Sequence, residues 1–363
     1  MPSKRRRQIM DKVRVGAYHC YTRCVRRAFL AGVDWVTGKD RSYRKEWVRK
    51  RLEDLASVFM IDVLDHAVME NHVHTILRNR PDLGKKLRRR EVVERWLRLS
   101  RKKLELNRRP TEKEVDEVLA DKNRVRELRR RLSDISWFMI MLNEPIALKA
   151  NIEDKMSGHF WAERFASERL PNEESLLLCS LYVDLNPIRA GQAKTPEEST
   201  YTGACDRLRD MQAERREEER RKEIALRRVL GEVEETIEMD GLRGGAGKLA
   251  AVALTGRARS GWMSPLREEG DGYAGAEARR RASDTGYLPM GLEKYLMLLE
   301  ECGRQEVEGK RGVIPETCPP MLERLGLDPT RWAEEAQEMA RRFARIAAKC
   351  ARQAGERSPR RKK

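Results

Sequence analysis

His72 and His74 stand two residues apart in the run Asn71-His72-Val73-His74-Thr75-Ile76-Leu77. On an extended strand, residues i and i+2 face the same side with attachment points roughly 7 Å apart, so two imidazoles placed there can close on one metal ion. Val73 faces the other way, into a core. A His-x-His pair also arises by chance, but the distribution of the residue adds weight: His19, His66, His72, His74 and His159 are the five histidines, and none lies beyond residue 159. Imidazole chemistry therefore belongs to the first half of the chain, with His19 and His66 on neighbouring strands. A second group closes a predicted helix, Leu181-Tyr182-Val183-Asp184-Leu185-Asn186-Pro187. Leu178, Leu181 and Leu185 keep core spacing, whereas Tyr182 and Asn186, four apart, share an adjacent stripe and face one space. Core packing is the ordinary role of a helical tyrosine, so spacing alone leaves that of Tyr182 open.

The elements that must position these groups are legible in outline. Lys12 to Cys24 alternates as a first strand, Arg44 to Ala56 reads as an amphipathic helix, and Val58 to Val68 is rich in β-branched residues. Met69-Glu70-Asn71 then interrupts, and His72 to Leu77 returns as the second arm of a hairpin. Residues 84–133 are helix-like and very basic, with a capping-box signal at Thr111 and Glu114, and read as an insertion or basic arm. Helix resumes over Ile135 to Ala150, Phe160 to Leu170 reads as a strand, and a helix over Glu174 to Asn186 ends at Pro187. The order β-α-β-β-α-β predicts an α+β fold with a ferredoxin-like antiparallel sheet and packed helices. We expect a catalytic domain over 1–204, a charged helix and Gly/Arg-rich linker over 205–290, and a small helical accessory region with a basic tail over 291–363.

Charge points to the partner. The chain of 363 residues carries 76 Lys+Arg against 59 Asp+Glu, a net +17, and polyanion binding is the first expectation. Arg5, Arg6 and Arg7 open the sequence and Arg360, Arg361, Lys362 and Lys363 close it; such tails grip phosphates without reading sequence. Seven scattered cysteines form no Cys-x-x-Cys pair and fit a reducing, cytoplasmic setting, and neither a membrane span nor a secretion signal is expected.

Three segments, taken in order, carry a resemblance: Asn71-His72-Val73-His74, Ser157-Gly158-His159-Phe160-Trp161-Ala162-Glu163-Arg164-Phe165, and Tyr182-Val183-Asp184-Leu185-Asn186-Pro187-Ile188-Arg189-Ala190-Gly191. Over about residues 12–205 the chain resembles the REP-associated tyrosine transposases, within the single-tyrosine HUH transposases of bacterial insertion sequences. The resemblance implies an HUH nuclease core with a divalent metal held by His72, His74 and Asn186, and with Tyr182 as nucleophile. It departs from the family pattern at Glu70, where a proline is usual, at Arg23 to Arg27, where a Gly-Asn turn is usual, and in the length of the 84–133 insertion.

Imidazole and amide-oxygen ligation admits Mg²⁺ or Mn²⁺, with imidazole favouring Mn²⁺. The implied reaction is attack of the tyrosine on single-stranded or hairpin DNA, giving a 5′-phosphotyrosine and a free 3′-OH. A second 3′-OH can reverse the step without ATP. Arg164 and Arg189, inside the matched segments, are candidate phosphate contacts alongside Arg5, Arg6 and Arg7. The resemblance implies a bacterial, nucleoid-associated protein, and a homodimer sharing its tyrosine between subunits stays open. The alternatives are a relaxase or replication initiator using the same chemistry, which the Asn-Pro-Ile-Arg-Ala-Gly run argues against, and a host-retained DNA-binding regulator that does not cut.

Overall fold

The computed structural model describes residues 10–25, 31–34, 38–99, 109–229, 258–266 and 280–325. The expected basic ends, including Arg5, Arg6 and Arg7, and the amphipathic run 330–353 lie outside the described residues, as does most of the expected linker.

Strands β1 (Gly16–Arg23), β2 (Ile61–Val68), β3 (His72–Asn79) and β4 (Ala166–Leu170) form one antiparallel sheet in the order β2-β3-β1-β4. Helix α1 (Arg44–Ala56) crosses from β1 to β2. After β3 come α2 (Pro81–Lys86), α3 (Arg89–Leu97), α4 (Glu112–Leu119), α5 (Lys122–Leu132) and the long α6 (Ile135–Asp154). Beyond β4 lie α7 (Glu173–Asp184), the single turn α8 (Asn186–Arg189), α9 (Gly203–Val229), α10 (Leu292–Arg304) and α11 (Met321–Arg324). The fold is thus mixed, an antiparallel sheet with helices on both faces.

Alternation along the strands sends successive side chains to opposite faces, and each face buries its own core. Tyr18, Cys20, Val73 and Leu77 pack with Val48, Leu52 and Leu55 of α1 and Phe138 and Leu142 of α6. Ala17, Leu64, Ile76 and Leu170 pack on the other side with Leu177, Leu181 and Val183 of α7 and Tyr295, Leu296 and Leu299 of α10. Residues after 291, expected as an accessory region, therefore share a core with the sheet.

The hairpin, α1 and the basic helices fall where the sequence places them, and the Thr111–Glu114 capping box forms. Three boundaries differ. The first strand, expected from Lys12, begins at Gly16, because Asp11 accepts from the N–H groups of Val13 and Arg14 and turns that segment. The expected strand over 160–170 is regular only from Ala166 to Leu170, because Gly158 turns through a positive φ of 102° and Phe160 and Phe165 are drawn into the core. The helix expected to run to Asn186 stops at Asp184, and Pro187 sits in the first turn of α8, a position where its missing N–H costs nothing.

Candidate functional site

Register brings the expected residues to one face of the sheet. Arg23 pairs with His72 and Tyr21 with His74 across β1 and β3, and directly opposed residues point the same way. His19, two residues before Tyr21, shares that face. Helix α7 lies over it, held by buried Leu177, Leu181 and Val183, while Tyr182 and Asn186 remain only half-buried on the intervening stripe. Sequence spacing anticipates that contrast.

The rings converge. His72 and His74 have centroids 4.8 Å apart, His74 and Tyr182 are 5.6 Å apart edge to face, and His19 and Tyr182 are 6.0 Å apart. Asn186 Nδ2 lies 3.0 Å from His74 Nε2, and His19 Nε2 lies 2.9 Å from His74 Nδ1. His72 Nδ1 lies 2.5 Å from Asn71 Oδ1.

These contacts are mutually consistent for one assignment of protons, inferred from the network. With the Asn186 amide donating to His74 Nε2, the His74 proton sits on Nδ1 and is donated to His19 Nε2. His19 thereby fixes the tautomer that leaves a lone pair on the inward nitrogen of His74, the arrangement that metal-binding histidines require. Turning the amide about its Cγ would offer Oδ1 in place of Nδ2.

Burial, reinforced by the positive charges of Arg23 and Lys310, pushes His72 down to about 4. The ring is therefore neutral near pH 7, with a lone pair able to bind a cation. Among the described residues no group of three or more His, Cys, Asp or Glu side chains is arranged to hold a metal ion. A divalent ion at His72 and His74 would need the Asn186 oxygen as its third protein ligand, a two-nitrogen, one-oxygen donor set with its other positions open.

Behind α7 a buried polar cluster fixes the helix. Tyr295 of α10 donates to Asp184 Oδ2 at 2.6 Å, Ala204 N donates to Asp184 Oδ1 at 2.9 Å, and Arg207 stands 3.6 Å from Asp65. Burial raises both carboxyls above their usual range.

The candidate phosphate contacts divide. Arg164 is exposed and, with His159, Phe160, Trp161 and Lys12, lines an open cavity of about 1270 Å³. Arg189 is buried, and its guanidinium donates to the carbonyls of Cys302 and Gln305 at 2.6 Å each and of Gly312 at 3.4 Å. Those carbonyls belong to the last turn of α10 and the segment after it, so Arg189 ties the tail to α8 and does not reach toward solvent. His66 lies on the opposite face of the sheet, its ring 5.1 Å from that of Trp262.

Arg23 and Lys310 are the residues that the motifs do not flag. Arg23 follows from strand alternation once the register is known. Lys310 has no local signal, because its segment returns to the site through tertiary contacts, among them the backbone bond from Arg311 N to Arg189 O, 3.1 Å, and the bonds from the Arg189 guanidinium.

No family model and no curated protein matches this chain. Among solved structures it is similar to a REP-associated tyrosine transposase bound to a REP hairpin, at 12% identity over 55% of this chain and 81% of that one, with a TM-score of 0.32. The likeness is distant. Among the described residues no helix is long and apolar enough to cross a membrane.

Proposed function

We propose that this chain is a single-strand DNA transposase with a ferredoxin-like HUH core, in which Tyr182 attacks a phosphodiester and His72, His74 and Asn186 hold a divalent metal. The observation that carries the reading is the meeting of a strand-borne imidazole pair with a helix-borne phenol and amide, from segments 112 residues apart in sequence. Attack by the Tyr182 hydroxyl oxygen on phosphorus forms the phosphotyrosine bond and breaks the bond to the leaving 3′ oxygen, which departs with a proton. Reversal by another 3′-OH rejoins DNA. The metal would supply Lewis-acid polarisation of the scissile phosphate.

The chain's own residues do the rest. His19 holds the His74 tautomer, α7 holds the phenol ring of Tyr182 against the imidazoles of His74 and His19, and Arg23 and Lys310 place positive charge beside His72, on the side of the site where a phosphate would bind. A tyrosine near pKa 10 needs such charge to lose its proton at neutral pH. The catalytic unit spans 1–204, covered on one face by α10; the setting is cytoplasmic, and the partner is single-stranded or hairpin DNA.

The test is a labelled hairpin with a single-stranded flank, incubated with the full chain and Mn²⁺ and scored for a covalent adduct that survives denaturation. Tyr182→Phe is expected to abolish the adduct and keep DNA retention, while His74→Ala and Asn186→Ala suppress the adduct with Tyr182 intact. An undiminished adduct from Tyr182→Phe would refute the assignment.

A further inference from the structure

The open end of the site carries an aromatic ring that the proposed reaction does not use. Along β1, His19, Tyr21 and Arg23 point to the face that holds the other rings, and their cover falls away in that order. His19 is 3% exposed, Tyr21 is 42% exposed, and Arg23 is exposed as well. Helix α7 lies over the His19 end, through Tyr182, and stops at Asp184.

Tyr21 stands apart from the rest of the surface. Among the described residues only one other tyrosine, tryptophan or phenylalanine is as exposed, Tyr43, and that one is engaged. Its ring lies edge-on to Trp47 at 5.4 Å, and its hydroxyl donates to Glu153. The Tyr21 hydroxyl has no hydrogen-bond partner among the described residues. On one side its ring meets the imidazoles of His19 at 5.4 Å and His74 at 5.8 Å, tilted by 36° and 40°. On the other side its neighbour in the sheet is Ala166 of β4, whose methyl group cannot cover a phenol. One face of the ring is therefore left open next to the metal-binding pair.

An open aromatic face with cations beside it suits an unpaired nucleotide. Positive charge follows the phosphates while the ring stacks on a base, and any base serves because each has a π-face. Arg23 supplies that charge two residues further along the same face, opposite His72 in the register, and Lys310 supplies it from the tail. A base inside a duplex is already stacked on both sides, so the ring selects an unpaired one.

We propose that Tyr21 is a substrate-binding residue that stacks on the unpaired base beside the scissile phosphate and so holds the strand in place for Tyr182; that the strand is DNA rests on the function proposed above. The test compares retention, by the full chain, of an oligothymidylate strand and of a strand of equal length built from abasic nucleotides. Tyr21→Ala should weaken retention of the oligothymidylate about 5- to 150-fold and leave the abasic strand unchanged. Tyr21→Trp should keep retention of both, and Tyr43→Ala should alter neither. Undiminished retention of the oligothymidylate by Tyr21→Ala, or an equal loss on both strands, overturns the stacking role. Tyr21→Phe should still form the covalent adduct; loss of the adduct with retention intact would assign the work to the hydroxyl and overturn stacking as well. A Tyr21-dependent preference for bases in a protein that forms no adduct upholds the stacking and refutes the transposase reading, whereas an adduct without that preference does the reverse.

Discussion

Arg189 separates two roles that the sequence leaves together. As a phosphate clamp it would affect DNA retention and spare stability; as placed, it is 8% exposed and bonded to backbone. Cys302 and Gln305 belong to the end of α10, where helix carbonyls lack intrahelical partners and a cation is doubly favoured. Hydrogen bonds to a charged group contribute about 1.5–3 kcal/mol each, so the two short ones at the low end give about 3 kcal/mol for Arg189→Ala, ignoring the longer bond to Gly312.

That is a large part of the 5–15 kcal/mol that stabilises an ordinary domain. Arg189→Lys should recover at most half, since one ammonium cannot reach both carbonyls in the geometry of a planar fork. Urea unfolding of the full chain measures the loss, and limited proteolysis should show earlier cutting between α10 and residue 312. A stability within about 1 kcal/mol of the parent, with DNA retention sharply reduced, would refute the anchoring role.

Two further outcomes follow from burial. His66 is held at about 3 by desolvation, with Arg49, Arg207 and Arg259 adding to it. The unfolded chain takes up a proton near 6.5 that the folded one refuses, so stability falls as pH drops from 6.5 toward 3. Asp206, raised to about 6 by burial, acts in the opposite sense between its ordinary value and 6, where the folded state holds the extra proton. Between pH 4.5 and 6 the two largely offset each other, so His66→Leu should shift the slope of stability against pH by about 1 kcal/mol per pH unit toward greater stability in acid, read from urea midpoints; identical slopes in the two proteins would exclude a buried neutral imidazole. Arg44, fully buried, joins α1 to the end of α6 through Glu153 at 2.7 Å and Asp154 at 3.0 Å. Because both carboxylates keep some contact with water, Arg44→Met should cost about 3 kcal/mol, the low end for breaking a buried pair, in the same unfolding assay.

Local periodicity carries what was legible in advance. A period of two puts His72 and His74 on one face with Val73 buried between them, and a period near 3.6 leaves Tyr182 on the less buried stripe of a helix whose leucines face the core, with Asn186 one turn on, at the start of α8. Turn residues and the Thr111 cap bound their elements for similarly local reasons. The strand expected over 160–170 was overread because composition does not report that Phe160 and Phe165 are needed in the core.

Tertiary structure decided which groups share the site. His19 meets His74 across 55 residues of sequence through the register of β1 on β3, and a shift of one residue would send its ring to the other face, where His66 lies. Arg189 turned from surface cation to buried anchor, and Lys310 reached the neighbourhood of His72, only because the chain returns after more than a hundred residues to pack α10 against α7. Contacts of that kind depend on which surfaces bury one another, and no window of neighbouring residues contains that information.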